Sequence, residues 1–251
     1  MDSLATELDR AKALDVTELA DAIETIGFEC TRCGACCKAA TCGSEGADAE
    51  GGESASTADD VTERGNHGDD ATTDPHTATV FPDEIRQLQD TTDYDWRDVA
   101  RPMPYGLETD EAGQESGATF EWALQTDDCG DCTFYDESDG VGACTVHEDR
   151  PLICRTYPFS VALGGTSQPM GEAVDAAGMV RAHECEGLGR AISRADAESL
   201  AAALKERAVT ELEEAIAVRD NYEPLQATAD DVVVYDSEGA KRPDGTPFPS
   251  E

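Results

Sequence analysis

The apolar residues near the N-terminus are spaced as in an amphipathic helix. Over residues 3–26 they recur every three to five positions: Leu4, Leu8, Ala11, Leu14, Leu19, Ile23 and Ile26. That spacing places them on one helical face. Asp15 and Glu18 give a capping-box signal midway, and Gly27 favours a helix end. Residues 1–27 are therefore predicted to be a helical segment, either two short helices or one with a break.

Further along the chain, the pattern alternates between helical and extended spacing. Pro82 suits the first turn of a helix that continues through Ile85 and Leu88. A polar loop is expected at about 106–117. Extended segments are expected at 119–125, near 133–135 and near 142–146.

The C-terminal third begins with a second strong helical pattern. An apolar residue recurs at every fourth position from Leu200 to Ile216, which predicts a long amphipathic helix at 196–221. The tail at 222–251 is rich in proline and acidic residues. We expect it to be mostly loose, apart from a strand-like run at 232–235.

Residues 43–79 have the composition of a disordered acidic insertion, because they are rich in Gly, Ala, Ser, Thr and Asp and contain no aromatic residue. The hydrophobic fraction of the 251-residue chain is 39% and the aromatic fraction 6%. These values are low for one core spanning the whole length. The expected fold is a small α+β domain with short strands and flanking helices, in which bound metal replaces part of the hydrophobic burial.

The formal net charge is −37, from 55 acidic and 18 basic residues, of which only four are lysine. Such acidity resembles that of proteins from salt-accumulating halophiles, and predicts a protein that loosens in dilute buffer. An acidic tail on an ordinary protein is the alternative, although acidic residues occur in every segment. No Lys or Arg cluster suited to a nucleic acid or an anionic membrane is visible.

The N-terminus has no signal-peptide pattern, and no apolar run approaches the ~18 residues of a membrane span. We therefore expect a cytoplasmic protein. In that reducing compartment, the ten cysteines indicate metal ligands or redox groups more than a structural disulfide framework. Reversible disulfide sensing is the other interpretation.

The strongest chemical signal is Cys30-x2-Cys33-Gly34-x-Cys36-Cys37. Thiols at this spacing, in a loop that Gly34 makes flexible, resemble the C-x2-C-x2-C core of ferredoxin-type sites. Adjacent residues do not readily point the same way. Cys36 and Cys37 are therefore expected to serve different sides of one centre or different metals.

Later cysteines extend this signal. Cys129-x2-Cys132 alone would suit a zinc knuckle or a redox pair. Cys154 lies between Arg150 and Arg155, whose charges are expected to offset the negative charge of thiolates gathered around a metal.

Together these motifs resemble the CxxCxxCC family, also called YkgJ-type cysteine-cluster proteins, whose domain is described as zinc- or iron-chelating. The similarity rests on the first cysteine run, on Cys132 before Phe134, on Cys144-x5-Arg150-Pro151-x2-Cys154-Arg155-x2-Pro158-Phe159, and on Cys185-x-Gly187-x-Gly189. It covers about residues 26–195, and we assign 28–195 to the metal-binding domain.

The resemblance implies eight metal-binding cysteines: Cys30, Cys33, Cys36, Cys37, Cys132, Cys144, Cys154 and Cys185. Cys42 and Cys129 depart from the family pattern. His147 has a C-x2-H spacing with Cys144, but a packing role is favoured over ligation. Eight thiolates could hold two four-ligand centres, although the spacing does not show which cysteines share one.

Three functions remain open from the sequence. The first is an iron–sulfur protein, of [4Fe–4S] or another cluster type, with an electron-transfer or oxidoreductase role and an unknown redox partner. The second is a structural zinc module acting through a protein partner, and the third is metal trafficking. No catalytic triad, phosphate-binding loop or dinucleotide fingerprint is present, so the sequence does not decide whether the protein is an enzyme.

Overall fold

The computed structural model describes residues 3–39, 76–164, 171–175, 178–225 and 231–249. The predicted insertion at 43–79 lies outside this part of the chain, apart from its last four residues. The helices are α1 (Leu4–Ala13), α2 (Val16–Ile26), α3 (Pro82–Thr91), α4 (Trp96–Val99), α5 (Leu152–Thr156) and α6 (Arg194–Asn221), with a 3₁₀ turn at His147–Asp149.

Twelve short strands accompany the helices in the described residues. They are β1 (Thr79–Val80), β2 (Ala100–Pro102), β3 (Leu107–Thr109), β4 (Glu115–Thr119), β5 (Trp122–Leu124), β6 (Tyr135–Ser138), β7 (Val141–Cys144), β8 (Phe159–Val161), β9 (Glu172–Ala173), β10 (Val180–Ala182), β11 (Val232–Asp236) and β12 (Gly239–Lys241). They form sheets in the orders β1-β5-β2, β8-β10-β9, β12-β11-β4-β3 and β6-β7. The mixture of helices and small sheets confirms the predicted α+β class.

The N-terminal segment is two helices because Asp15 interrupts it. The Asp15 carboxylate accepts hydrogen bonds from the backbone N–H groups of Thr17, at 2.7 Å, and Glu18, at 3.3 Å, which caps the start of α2. Gly27 ends α2 at a φ of +75°, and its N–H donates to the Ile23 carbonyl at 2.8 Å. The helix therefore ends three residues before Cys30, at its Gly27 cap.

Two hydrophobic cores lie in the described residues. The helical core joins α1, α2 and α6 to the sheet β8-β10-β9, and its buried members include Leu19, Ile23, Phe159, Val180 and Leu204. The second core joins α3 to the sheet β1-β5-β2, and its buried members include Ile85, Leu88, Trp122, Leu124, Phe134, Val146 and Cys132. None of the helices in the described segments combines the length and apolarity needed to cross a membrane.

Two stretches differ from the sequence expectation. The strand predicted at 119–125 is two strands, β4 and β5, and the expected polar loop at 106–117 contains β3 and most of β4. The chain turns at Phe120 and Glu121, so Trp122 enters the second core while β4 pairs with β11 in another sheet.

The C-terminal region is the larger difference, because residues 232–241 form the hairpin β11-β12, and β11 pairs in parallel with β4. The buried Lys241 ammonium lies 2.8 Å from the buried Asp236 carboxylate. Trp122 Nε1 donates to the same carboxylate at 2.9 Å. These buried polar contacts tie the hairpin to the second core, where a mostly loose tail had been expected.

Candidate metal centre

Five segments bring the eight predicted cysteines close enough for their charges to act on one another. They are the loop 30–37, the turn holding Cys132, the end of β7 with Cys144, α5 with Cys154, and the loop after β10 with Cys185. All eight are free thiols. Cys129 is disulfide-bonded, which separates it from this set, and Cys42 lies outside the described residues.

Four of the eight thiols belong to the second core. Cys132 is a buried member of that core, and Cys37, Cys144 and Cys154 pack against it. The Cys132 N–H donates to the Cys37 carbonyl at 2.8 Å, which fixes the first cysteine run against the later turn. Cys144 is brought in by the β6-β7 hairpin, where it lies opposite Tyr135.

Three other thiols lie on the helical-core side and face solvent more. Cys30 and Cys33 are exposed, and Cys185 is half-buried. The Glu29 N–H donates to the Gly187 carbonyl at 3.0 Å, and Phe28 forms an isolated β-bridge with Leu188. These contacts hold the two loops side by side.

Cys36 lies between the two groups, and its Sγ atom is 3.7 Å from that of Cys37. The two adjacent side chains therefore turn towards each other, against the expectation that neighbours point apart. One turn of backbone makes this possible, because the Cys37 and Lys38 N–H groups both donate to the Gly34 carbonyl, at 2.8 and 3.1 Å. Two thiolates on one tetrahedral zinc ion would be separated by about 3.8 Å.

Burial controls the protonation of the second-core thiols. It raises the pKa of Cys132 to about 11, and it also raises the pKa of Cys144 and Cys154. The pKa of Cys36 is instead lowered to about 7, because the Cys37 thiol donates a hydrogen bond to it, and the pKa of Cys37 is raised for the same reason. Without metal the second-core thiols stay neutral, so a bound cation would have to displace their protons.

Arg150 is the cation whose charge favours ionisation of these thiols. Its charge acts to lower the pKa of Cys36, Cys144 and Cys154, and its Nε donates to the His147 carbonyl at 2.9 Å. Arg155 forms an ion pair with Glu206 at 3.8 Å. Of the two flanking arginines, Arg150 is the one whose charge is seen to act on the thiols.

A tyrosine fastens the first cysteine run to the β6-β7 hairpin. Tyr135 Oη donates to the Glu137 carboxylate at 2.5 Å, and Lys38 pairs with that carboxylate while lying 5.1 Å from the tyrosine ring centroid. Gly34 has a φ of +77°, and a Cβ there would lie 2.3 Å from Tyr135 Oη. A Cβ on Gly142 would lie 2.7 Å from the Tyr135 ring. The two glycines therefore leave the space that the ring fills.

Sequence reasoning missed Tyr135 and Tyr157 as parts of this region. The pKa of Tyr157 is raised to about 12 by burial and by the nearby charges of Cys185, Cys36 and Cys33, and its hydroxyl donates to the Glu184 carbonyl at 3.1 Å. The glycines around Tyr135 were the only signal in the sequence, and they carry no information about their partner.

The candidate histidines are not placed as ligands. His147 is exposed, and its Nδ1 lies 3.2 Å from the Glu148 carboxylate. His183 is exposed, accepts the Glu184 N–H at Nδ1 over 3.0 Å, and contacts the Tyr157 ring. The structure therefore places His147 at the surface beside Glu148, where the sequence had favoured a packing role.

The donor set suits a thiophilic metal, since it is made of free thiols with no oxygen ligand among them. In the described segments, no three Cys, His, Asp or Glu side chains stand close enough together to hold an ion without rearrangement. Rotation of the cysteine χ1 angles would be needed to bring four sulfur atoms to one centre. The described backbone positions the residues, while the final sulfur positions depend on the metal.

Comparison with known proteins identifies a family whose description agrees with an all-thiol metal site. A sequence profile described as "CxxCxxCC: Putative zinc- or iron-chelating domain" matches residues 29–186. Neither a curated protein nor a solved structure gives a significant match to the chain. The profile covers more than half of the chain and spans all eight of the family-pattern cysteines. The protein therefore belongs to the CxxCxxCC family, whose domain is described as zinc- or iron-chelating.

Proposed function

We propose that the protein is an iron–sulfur protein with an electron-transfer role, acting alone or as part of a redox enzyme. The observation that supports this most directly is the convergence of eight free thiols from five segments, four of them at a hydrophobic core. Thiolate ligation is the usual way in which proteins hold iron–sulfur clusters. Such a cluster supplies a one-electron redox couple.

The residues around the thiols support this role in separate ways. Cys132 is buried in the second core, and Cys37, Cys144 and Cys154 pack against it half-buried. Arg150 places a positive charge beside three of the eight thiols. Burial and nearby charge are the protein's main means of setting the potential of a bound cluster. The exposed thiols, Cys30 and Cys33, give a redox partner a side from which to approach.

A structural zinc module, acting through a protein partner, is the second candidate. The all-thiol donor set favours it, because four cysteine thiolates close a structural zinc site. Four thiolates closed around each zinc ion would leave no open position for substrate. In that case the metal would act by holding the two cores together.

Anaerobic purification from an iron-replete host at high salt separates the two candidates. Iron, acid-labile sulfide and zinc are measured per chain, together with the visible spectrum. Iron and sulfide in stoichiometric amounts with a brown chromophore are the expected result. Zinc alone, with no colour and no sulfide, would replace the iron–sulfur proposal with the structural one.

A further inference from the structure

The eight thiols differ in burial and in the core to which they are attached. Four lie in or against the second core, while Cys30, Cys33 and Cys36 are exposed and Cys185 is half-buried. We propose that they form two centres of unequal accessibility. The inner centre is held by Cys37, Cys132, Cys144 and Cys154, and the outer centre by Cys30, Cys33, Cys36 and Cys185. This inference rests on the proposed metal-binding function of the same thiols.

The inner set is defined by packing. Cys132 belongs to the buried cluster that includes Phe134 and Trp122, and the other three members pack against that cluster. The 2.8 Å hydrogen bond from the Cys132 N–H to the Cys37 carbonyl joins two of the segments directly. Four thiols are the usual ligand number for one zinc ion or one iron–sulfur cluster, so this set is complete without the others.

The outer set is defined by two adjoining loops. Cys30 and Cys185 lie on adjacent loops. The loops are joined by the 3.0 Å hydrogen bond from the Glu29 N–H to the Gly187 carbonyl and by the isolated Phe28–Leu188 β-bridge. Gly187 allows this approach, because a Cβ there would lie 2.4 Å from the Glu29 carbonyl oxygen. Cys33 follows in the same loop, which gives three thiols on the solvent side.

Cys36 is assigned to the outer set because of its exposure and because that set needs a fourth thiol. The inner set already has four members, whereas the outer set has three and needs one more. Cys36 is exposed like Cys30 and Cys33, while Cys37 packs against the second core. The peptide bond between Cys36 and Cys37 then links the two centres, and the 3.7 Å between their sulfur atoms makes the centres direct neighbours.

The two centres should differ in lability. The inner centre includes the buried Cys132 and three half-buried thiols packed against the second core, whereas three of the four outer thiols are exposed. Local opening of exposed loops costs less free energy than core unfolding. We expect release from the outer centre to be faster than from the inner one by on the order of 100-fold or more. The outer centre is then the one that exchanges metal, meets oxidants and contacts a redox partner.

Metal stoichiometry and chelator kinetics test the proposal on the full chain. The first variants are Cys36→Ser and the double variant Cys30→Ser/Cys33→Ser, with Ala35→Ser as the matched control in the same loop. Each thiol variant should keep half of the wild-type metal and a cooperative thermal transition, and the control should keep all of it. In wild-type protein, a chelator should remove half of the metal rapidly and the rest only as the protein unfolds.

Two results would overturn the inference. One is a folded outer variant without any metal, or a Cys36→Ser protein with the full complement. The other is release of all wild-type metal in a single phase, a measurement that remains informative if the variants fail to fold. A wild-type protein that binds no metal would instead refute the proposed function, so the two failures are distinguishable.

Discussion

The tight approach of Gly187 to Glu29 makes Gly187→Ala a direct test of how the outer cysteines are positioned. A Cβ at residue 187 would lie 2.4 Å from the Glu29 carbonyl oxygen and 2.9 Å from the Phe28 ring. Ordinary contact begins at 3.4 Å, so the loops must separate by about 1 Å. The obstacle is backbone, and a change of side-chain rotamer cannot remove it.

The cost of Gly187→Ala can be worked out from these contacts. Overpacking costs about 1–3 kcal/mol, and weakening the 3.0 Å hydrogen bond from Glu29 to Gly187 adds about 0.5–1.5 kcal/mol. The sum, about 1.5–4.5 kcal/mol, acts on the junction that holds Cys30 beside Cys185. At 1.4 kcal/mol per factor of ten, the affinity of the outer centre should fall by roughly 10- to 1,500-fold.

Competition with a coloured chelator under anaerobic conditions measures this change. Gly113→Ala is the control, because Gly113 has a φ of +81° and open space around it, in a turn far along the chain from the cysteine loops. It should lose about 1–2 kcal/mol of global stability through backbone strain and keep its metal affinity. A Gly187→Ala protein that releases its metal like the wild type would refute this account of the outer loops.

Four further predictions follow from charge and burial. Lys241→Met should lower the free energy of unfolding by about 3–5 kcal/mol in denaturant titrations, because it leaves the charge of the buried Asp236 carboxylate uncompensated. The double variant Lys241→Met/Asp236→Asn should recover part of this loss. For an iron–sulfur form, a redox titration of Arg150→Gln should show a midpoint potential that is more negative by roughly 40–60 mV. This shift corresponds to the loss of a Coulomb interaction of about 1 kcal/mol. The control variant Arg155→Gln should leave the potential unchanged. Metal-free protein should lose stability as the pH rises from about 9 to about 11, because the Cys132 thiol ionises at a lower pH in the unfolded chain than in the folded protein, where its pKa is raised. Constant stability across this pH range would contradict the effect. The melting temperature should rise with salt because of the −37 net charge, and a salt-independent value would exclude self-repulsion as the cause of low stability.

Local patterns in the sequence predicted the parts of the fold that depend on neighbouring residues. The helical spacing around Leu19 and Ile23, the Asp15 cap and the Gly27 stop all act within a few residues, and the structure has them at those positions. The same is true of Pro82 at the start of α3. The cysteine spacing likewise indicated metal chemistry and the family.

The grouping of the cysteines could not be predicted, because it depends on distant packing. Cys37 and Cys132 are far apart in sequence, and only the folded chain joins them through a backbone hydrogen bond. The same limit applies to the C-terminal hairpin. Val232–Tyr235 has strand spacing, but its parallel pairing with β4 and the burial of Lys241 beside Asp236 depend on partners outside the local pattern.

A metal bound by these thiols would connect loops that are attached to the two cores of this acidic chain. The outer loops attach to the helical core, where the Phe28 ring meets Phe159 edge-on with centroids 5.7 Å apart, whereas the inner thiols pack into the second core. The dipeptide Cys36-Cys37 therefore lies where the two attachments meet. With metal bound to both sets, the attraction between cation and thiolate would join the two small cores against the self-repulsion expected of a chain with a net charge of −37. Loss of the outer metal should loosen this junction first, while the second core holds until its own four thiols lose theirs.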